Sequence, residues 1–274
     1  MKKILLAVDG PLFSEGDKNT LLFLASKMKI SVTGAFLENE FKYKMTKILH
    51  EDDSPERSVK SEYETFMENT VHSFQAFCTQ HKIPHQIHEI TEGFNQDTLL
   101  LETRFADLMV ISSEQFFHFE NEMVINPFVQ KLFRNSECPV LVIPESFHGI
   151  ESIILTFDNT TSSVFAIKQF SYLFPDLMTL PTTLVSGIDD INHKEQLAAM
   201  TMMEDFGHTR FKNLSSVHLP DLTPKELEAY AEKKNSPIVV MGSFGRSELS
   251  MVWRGSFSQY LIREHKVPLY IAHK

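Results

Sequence analysis

The stretch MGSFGRSELSMVWRGSFSQYL (241–261) holds Gly242, Gly245 and Gly255 in a chain with only 10 glycines among 274 residues. The run VVMG ends a β-prone apolar segment. Two residues then separate Gly242 from Gly245, nine more precede Gly255-Ser256, and an amphipathic run follows. That order suits phosphate binding. Glycine lets the backbone approach a polyanion with no Cβ in the way. A helix beginning at Ser256 offers N–H groups that no earlier turn can pair, and the positive end of its dipole. Ser256 can cap that helix or donate its hydroxyl to a phosphate oxygen, and the two uses compete. Arg246 can add charge-assisted contacts. The same residues also suit a plain loop-to-helix connection with Ser256 as its cap.

These residues need a sheet edge and a helix start to hold them, and the chain supplies both twice. KKILLAVD (2–9) matches ESIILTFD (151–158), ADLMVISSE (106–114) matches SPIVVMGSF (236–244), and NPFVQKLFRNSECPVLVIP (126–144) matches GSFSQYLIREHKVPLYIAH (255–273), in the same order. A repeat of this kind fixes the organisation. The boundary falls in ESFHGIE (145–151), giving domains 1–147 and 148–274. Short apolar runs alternate with longer amphipathic ones, the pattern of βαβ units around a parallel sheet. Strands are expected at 3–8, 31–37, 85–91, 107–112 and 139–143, then at 152–157, 182–187, 210–218, 237–241 and 267–272. Helices are expected near 14–29, 58–81, 95–105 and 126–136, then near 161–173, 191–206, 223–234 and 255–265. The fold class is therefore α/β: two tandem doubly wound domains, each a five-stranded, mainly parallel sheet flanked by helices. Ligands of such sheets sit at the carboxyl edge, where the winding direction switches.

The spacing G-x2-G-x9-G-[S/T] after the fourth strand resembles the ATP-binding loop of the universal stress proteins, with Gly242, Gly245, Gly255 and Ser256 at its fixed positions. The order of elements resembles that family along essentially the whole chain, as a tandem pair with a Rossmann-like, adenine nucleotide alpha hydrolase-like fold. The resemblance implies a nucleoside contact from Asp158, with Thr156 and Phe157 beside it, and an adenine pocket lined by Val185. It implies phosphate contacts along the edge after Met241, from Gly242, Ser243, Gly245, Gly255, Ser256, Phe257 and Ser258, with Arg246 nearby. ATP is the expected ligand, with ADP or AMP as relatives, and the need for Mg²⁺ stays open. It further implies a regulatory or sensing part in a stress response, exercised through a protein partner. The last strands, PVLVIP (139–144) and PLYIAH (268–273), are expected to pair within one chain; whether two chains also form a homodimer stays open. Asp158 also suits a capping role for the helix that follows it.

The first copy has lost the glycines. Ser112, Gln115, Asn126 and Pro127 stand where Gly242, Gly245, Gly255 and Ser256 stand in the second, and Glu114, Glu120 and Glu122 add negative charge. Side chains crowd the phosphate path and Pro127 removes an N–H from the helix start. Asp9-Gly10 survives, but no triphosphate binding is expected there.

Composition narrows the classes further. Residues 1–149 hold 14 Lys/Arg against 22 Asp/Glu and residues 150–274 hold 12 against 14, so the net charge of −10 divides as −8 and −2. Such acidity disfavours nonspecific binding to nucleic acid or anionic membranes, and the glycine loop lies in the less acidic half. No apolar run approaches the roughly 18 residues of a membrane span. Cys78 and Cys138 form no CxxC pair, which fits a reducing cytoplasm rather than a disulfide framework. His85 and His88 are three apart in a strand and face opposite sides, so they share no metal. No G-x-S-x-G, GxxxxGK[ST] or HExxH motif is present, and no general base is evident beside the expected phosphates. No catalytic residue is expected, and ATP hydrolysis, if any, is slow.

Overall fold

The structure is a computed structural model that describes residues 1–9, 12–37, 56–88, 96–113, 127–187, 194–219, 223–242 and 267–273. The first half of the chain forms β1 (Lys2–Asp9), α1 (Glu15–Lys27), β2 (Ile30–Leu37), α2 (Glu56–Gln80), β3 (His85–His88), α3 (Gln96–Thr103), β4 (Leu108–Ser112), α4 (Pro127–Asn135) and β5 (Val140–Ile143). The second forms β6 (Ser152–Phe157), α5 (Thr161–Leu173), a 3₁₀ turn (Pro175–Thr179), β7 (Pro181–Ser186), α6 (Lys194–Arg210), β8 (Asn213–His218), α7 (Pro224–Ala231), β9 (Pro237–Gly242) and β10 (Leu269–Ala272).

Among the described residues, the ten strands join one sheet in the order β3-β2-β1-β4-β5-β10-β9-β6-β7-β8. Each half thus contributes five strands wound outwards from its first strand, then across to the other side, as the alternating pattern requires. Every neighbouring pair is parallel except β5 with β10, where Val140, Leu141 and Val142 face Ile271, Tyr270 and Leu269. The two strands that the sequence marks for pairing within the chain do pair. Their antiparallel contact relates the halves by an approximate two-fold axis.

The sheet is covered on both faces, which is why its central strands read as continuous apolar runs rather than alternating ones. β4, β5, β6 and β10 are buried along their whole length. One core takes Leu21 and Leu24 from α1, Phe74 and Cys78 from α2, and Ala166, Ile167 and Phe170 from α5. The opposite core takes Leu99 from α3, Leu132 and Phe133 from α4, and Leu227 and Ala231 from α7. The connection between the halves packs rather than dangles: Phe147 and Ile150 are buried, and Phe147 meets Phe23 of α1 edge-on at 5.5 Å.

The largest departure from the expected boundaries is at the end of α6. Helix α6 runs to Arg210, into the stretch read as strand, and its C-terminal half gains tertiary contacts. Met203 enters the core, and the Arg210 guanidinium lies 4.7 Å over the Tyr172 ring and 5.8 Å from that of Phe206. A cation at the helix C-terminus also suits the dipole. The 3₁₀ turn at Pro175–Thr179 has no counterpart in the expected pattern; Pro175 cannot donate the N–H that would continue α5. The expected helix at 255–265 lies outside the described residues.

Candidate functional site

The carboxyl edge of the second half gathers the ends of β6, β7 and β9. In a sheet ordered β10-β9-β6-β7-β8, the winding direction changes between β6 and β9, so the crevice lies between Phe157-Asp158 and Met241-Gly242. Thr156 pairs in register with Val185, and Phe157 with Ser186. Alternation along the strands then sorts the sequence candidates by face. Val185 and Met241 belong to the core beneath α7, with Ile154 and Val239. Phe157 points the other way, into the core beneath α5, and is 1% exposed. What Phe157 brings to the edge is therefore its backbone, and its ring belongs to the core.

Asp158 organises the turn that leaves β6. Its Oδ1 accepts from the backbone N–H of Thr160 at 3.1 Å and from the Thr160 hydroxyl at 2.6 Å. The chain between them turns through Asn159 at φ +61°, a left-handed conformation that asparagine tolerates better than other side chains. The repeat puts Gly10 at this position in the first half, a residue equally suited to the turn. The cap of α5 is Thr160 and not Asp158: the Thr160 hydroxyl accepts from Ser163 N at 3.2 Å. Asp158 acts one step back, by fixing the cap.

Gly242 stands where β9 meets the first turn of α5. A Cβ built there lies 2.5 Å from Ser163 N and 2.6 Å from the Ser162 carbonyl carbon, both backbone atoms. The absent side chain is thus what lets the strand end and the helix start touch. Ser162 and Ser163 are neighbours of the crevice that spacing alone did not single out. The available signal was the Ser/Thr-rich run NTTSS directly after the first strand. Three further residues at this edge, Ser186, His218 and His273, carry no sequence motif. The Ser186 hydroxyl lies 3.5 Å from Nδ1 of His218 at the ends of β7 and β8. His273 follows Ala272, which pairs with Gly242, and burial holds its imidazole below the usual value.

Ser243, Gly245, Arg246, Gly255, Ser256, Phe257 and Ser258 lie outside the described residues. Of the site read from sequence, the structure accordingly brings together Thr156, Phe157, Asp158, Val185, Met241 and Gly242.

The first half is packed differently at the same edge. Ser112, the counterpart of Gly242, is 1% exposed. The close approach has moved to α1, where a Cβ on Gly16 would meet Pro144 O at 2.7 Å. Ser14 caps α1, and Asp17 closes a capping box by accepting from Ser14 N at 2.9 Å. A carboxylate of the chain itself therefore occupies this helix start. Pro127 opens α4, while Gln115 and Asn126 lie outside the described residues.

His85 packs edge-on against Phe74, and His88 Nδ1 pairs with Glu102 at 2.7 Å. Among the described residues no three His, Cys, Asp or Glu side chains are placed to hold a metal ion, and no helix is long and apolar enough to cross a membrane. Burial pushes the Cys78 and Cys138 thiols up to about 12, so neither is a thiolate near neutrality.

The comparisons with known proteins bear on the fold and on the family of the C-terminal segment. The family model for the universal stress protein family matches residues 193–273, which include β8, α7, β9, the glycine loop and β10. No curated protein matches the chain by sequence. Among solved structures, a universal stress protein from Archaeoglobus fulgidus DSM 4304 is similar over 100% of this chain and 96% of that chain, at 13% identity and a TM-score of 0.69. A functionally unknown protein from Pseudomonas aeruginosa PAO1 is similar over 100% of this chain and 92% of that one, at 12% identity and a TM-score of 0.64. Residues 193–273 therefore match the universal stress protein family, and the α/β fold of the entire chain is similar to that of a solved universal stress protein.

Proposed function

We propose that the chain is a tandem universal stress protein, with domains 1–147 and 148–274, whose second domain binds ATP or a related adenine nucleotide. The observation that carries this reading is the position of Gly242. It opens the G-x2-G-x9-G-S loop and lies at the carboxyl edge of β9, beside the switch point, within the segment matched by the family model. In this reading Asp158 and Val185 border the nucleoside. Backbone N–H groups of Gly242, Ser243, Gly245, Gly255, Ser256, Phe257 and Ser258 take the phosphates, with Arg246 adding charge. The first domain, with Ser112, Gln115, Asn126 and Pro127 in place of Gly242, Gly245, Gly255 and Ser256, binds no nucleotide and serves as a partner surface.

The activity is occupancy sensing in the cytoplasm during stress, with any ATP hydrolysis slow. A nucleotide bound at this edge changes the surface offered to a partner protein, to the extent that its affinity differs between conformational states. Titration calorimetry with ATP tests the reading, with Gly255→Val as the control. Saturable binding to the wild type, lost in the variant, is expected. No heat from the wild type would sink it. A second reading has one observation in its favour: contact with Ser162 and Ser163 accounts for Gly242 without any ligand. In that case the chain is an assembly module, and mass spectrometry of the purified protein finds no nucleotide.

A further inference from the structure

The two halves hold their central strands in nearly the same register, and they differ at the carboxyl edge. In the first half β1 and β4 stay paired through Ala7 and Ile111. The repeat makes Thr156 and Met241 their counterparts. There the ladder between β6 and β9 ends one residue sooner, at Leu155 and Val240. At that point the Thr156 hydroxyl donates to the Val240 carbonyl at 3.2 Å. Ala7 carries no group that could make this bond, and its strand pairing continues.

The direction of the Gly242 amide follows from the strand. In a parallel strand, alternate residues turn their N–H and C=O groups to alternate neighbours. Val239 N donates to Pro268 O on the β10 side at 3.0 Å, so Val240 and Gly242 turn towards β6. Gly242 therefore directs its amide over the gap where pairing with β6 has stopped. Gly242 itself has no Cβ to shield it, and α5 occupies the space that a Cβ would take.

We infer that Thr156 is a positioning residue. Its hydroxyl takes the Val240 carbonyl where the β6–β9 ladder ends, and this leaves the Gly242 amide, already turned towards β6 by the strand, outside the ladder as a donor to an anionic oxygen of the nucleotide. The inference rests on the nucleotide reading above for its ligand, and on the two registers for the strand separation. It differs from direct ligand contact, because the hydroxyl is engaged with the backbone. It also gives the first half a second reason to bind nothing: with Ala7 in this place, the ladder closes over the equivalent amide.

The test compares Thr156→Val, which keeps the branched shape without the hydroxyl, with Thr156→Ser, which keeps the hydroxyl. ATP affinity is measured by calorimetry, and exchange of the Gly242 amide by NMR in the nucleotide-free protein. Thr156→Val is expected to weaken ATP about tenfold, the effect of one lost donor, while Thr156→Ser stays within about twofold. Gly242 exchange is expected to slow in Thr156→Val, as the ladder extends, and to remain as in the wild type in Thr156→Ser. Equal affinities in all three proteins, with wild-type binding intact, would overturn the positioning role and leave the nucleotide reading standing. Unchanged Gly242 exchange in Thr156→Val would overturn the strand separation whether or not ATP binds. A wild type that binds no ATP removes the nucleotide reading and the donor role together, even where Gly242 exchange responds to the hydroxyl.

Discussion

Leu141 faces Tyr270 across β5 and β10, and the internal repeat makes these two residues equivalent, so the approximate two-fold axis of the sheet passes through this one pair. The axis is broken at the pair by side-chain size. Tyr270 is fully buried, with its ring 5.1 Å from Phe170 and 6.0 Å from Phe174. Aromatic packing from the second half thus fills the seam that joins both halves.

The Tyr270 hydroxyl is the weak part of that seam. It is buried and has no hydrogen-bond partner among the described residues. Burial, reinforced by Cys138, holds it well above its usual pKa, so it stays neutral. An unsatisfied buried hydroxyl costs about 1–3 kcal/mol. Tyr270→Phe is therefore expected to raise stability by about 1 kcal/mol, read as a higher urea midpoint at unchanged slope. Tyr270→Ala should lower it by about 3–5 kcal/mol, through loss of the ring contacts. A lower midpoint for Tyr270→Phe would show that the hydroxyl has a partner.

Gly242 and Gly16 answer to packing before they answer to any ligand. In each case the added Cβ meets backbone, Ser163 N at 2.5 Å or Pro144 O at 2.7 Å, which cannot swing aside as a flexible side chain can. Gly242→Ala and Gly16→Ala are each expected to cost about 1–3 kcal/mol in thermal unfolding, without nucleotide present. A neutral Gly242→Ala would mean that α5 yields easily, and would return this glycine to a purely ligand-directed role.

The turn at Asp158 separates capping from ligand contact. Asp158→Ala removes the acceptor for Thr160 N and Oγ1, and Thr160→Ala removes the acceptor for Ser163 N. Each should cost about 1 kcal/mol, within the usual range for a lost cap. Asp158→Asn keeps an oxygen at Oδ1 and should hold stability within about 0.5 kcal/mol. Loss of ATP affinity in Asp158→Asn at preserved stability would isolate a charge-dependent nucleoside contact. Equal affinity would confine Asp158 to the turn.

Much of this architecture was legible because both faces of the sheet are covered. Runs such as LMVIS and SIILTF are buried throughout and read as strands without ambiguity. Helix α5 begins and ends where expected, since Thr160 caps it and Pro175 stops it. Edge strand β8 was harder. Its residues are mostly exposed, so NLSSVH carries no apolar signature, and its start was set too early, inside α6. The spacing that marked Gly242 as a site residue could not reveal Ser162 and Ser163 as its neighbours, because that contact joins elements far apart in the chain. Nor could it sort Phe157 from Val185, which point to opposite cores only once the register is fixed.

The buried thiols predict the alkaline limb of stability. Burial raises Cys78 and Cys138 to about 12 in the folded protein, from the usual value of about 9 that the unfolded chain retains. Above that value the unfolded state gives up these protons and the folded state does not, so the unfolded state binds fewer protons. Stability is then fully present below pH 9 and falls as pH rises from about 9 towards 12. The Tyr270 hydroxyl, also raised by burial, acts in the same direction from about pH 10, the value the unfolded chain retains, upwards. Urea midpoints between pH 7 and 11 should show this fall, and Cys78→Ala with Cys138→Ala should flatten it while lowering the neutral-pH plateau through the cavities left behind. Alkylation at pH 8 should track global unfolding, since a neutral buried thiol reacts only when exposed. Rapid labelling of either cysteine in the native protein, or an alkaline limb indifferent to the double substitution, would overturn the assignment.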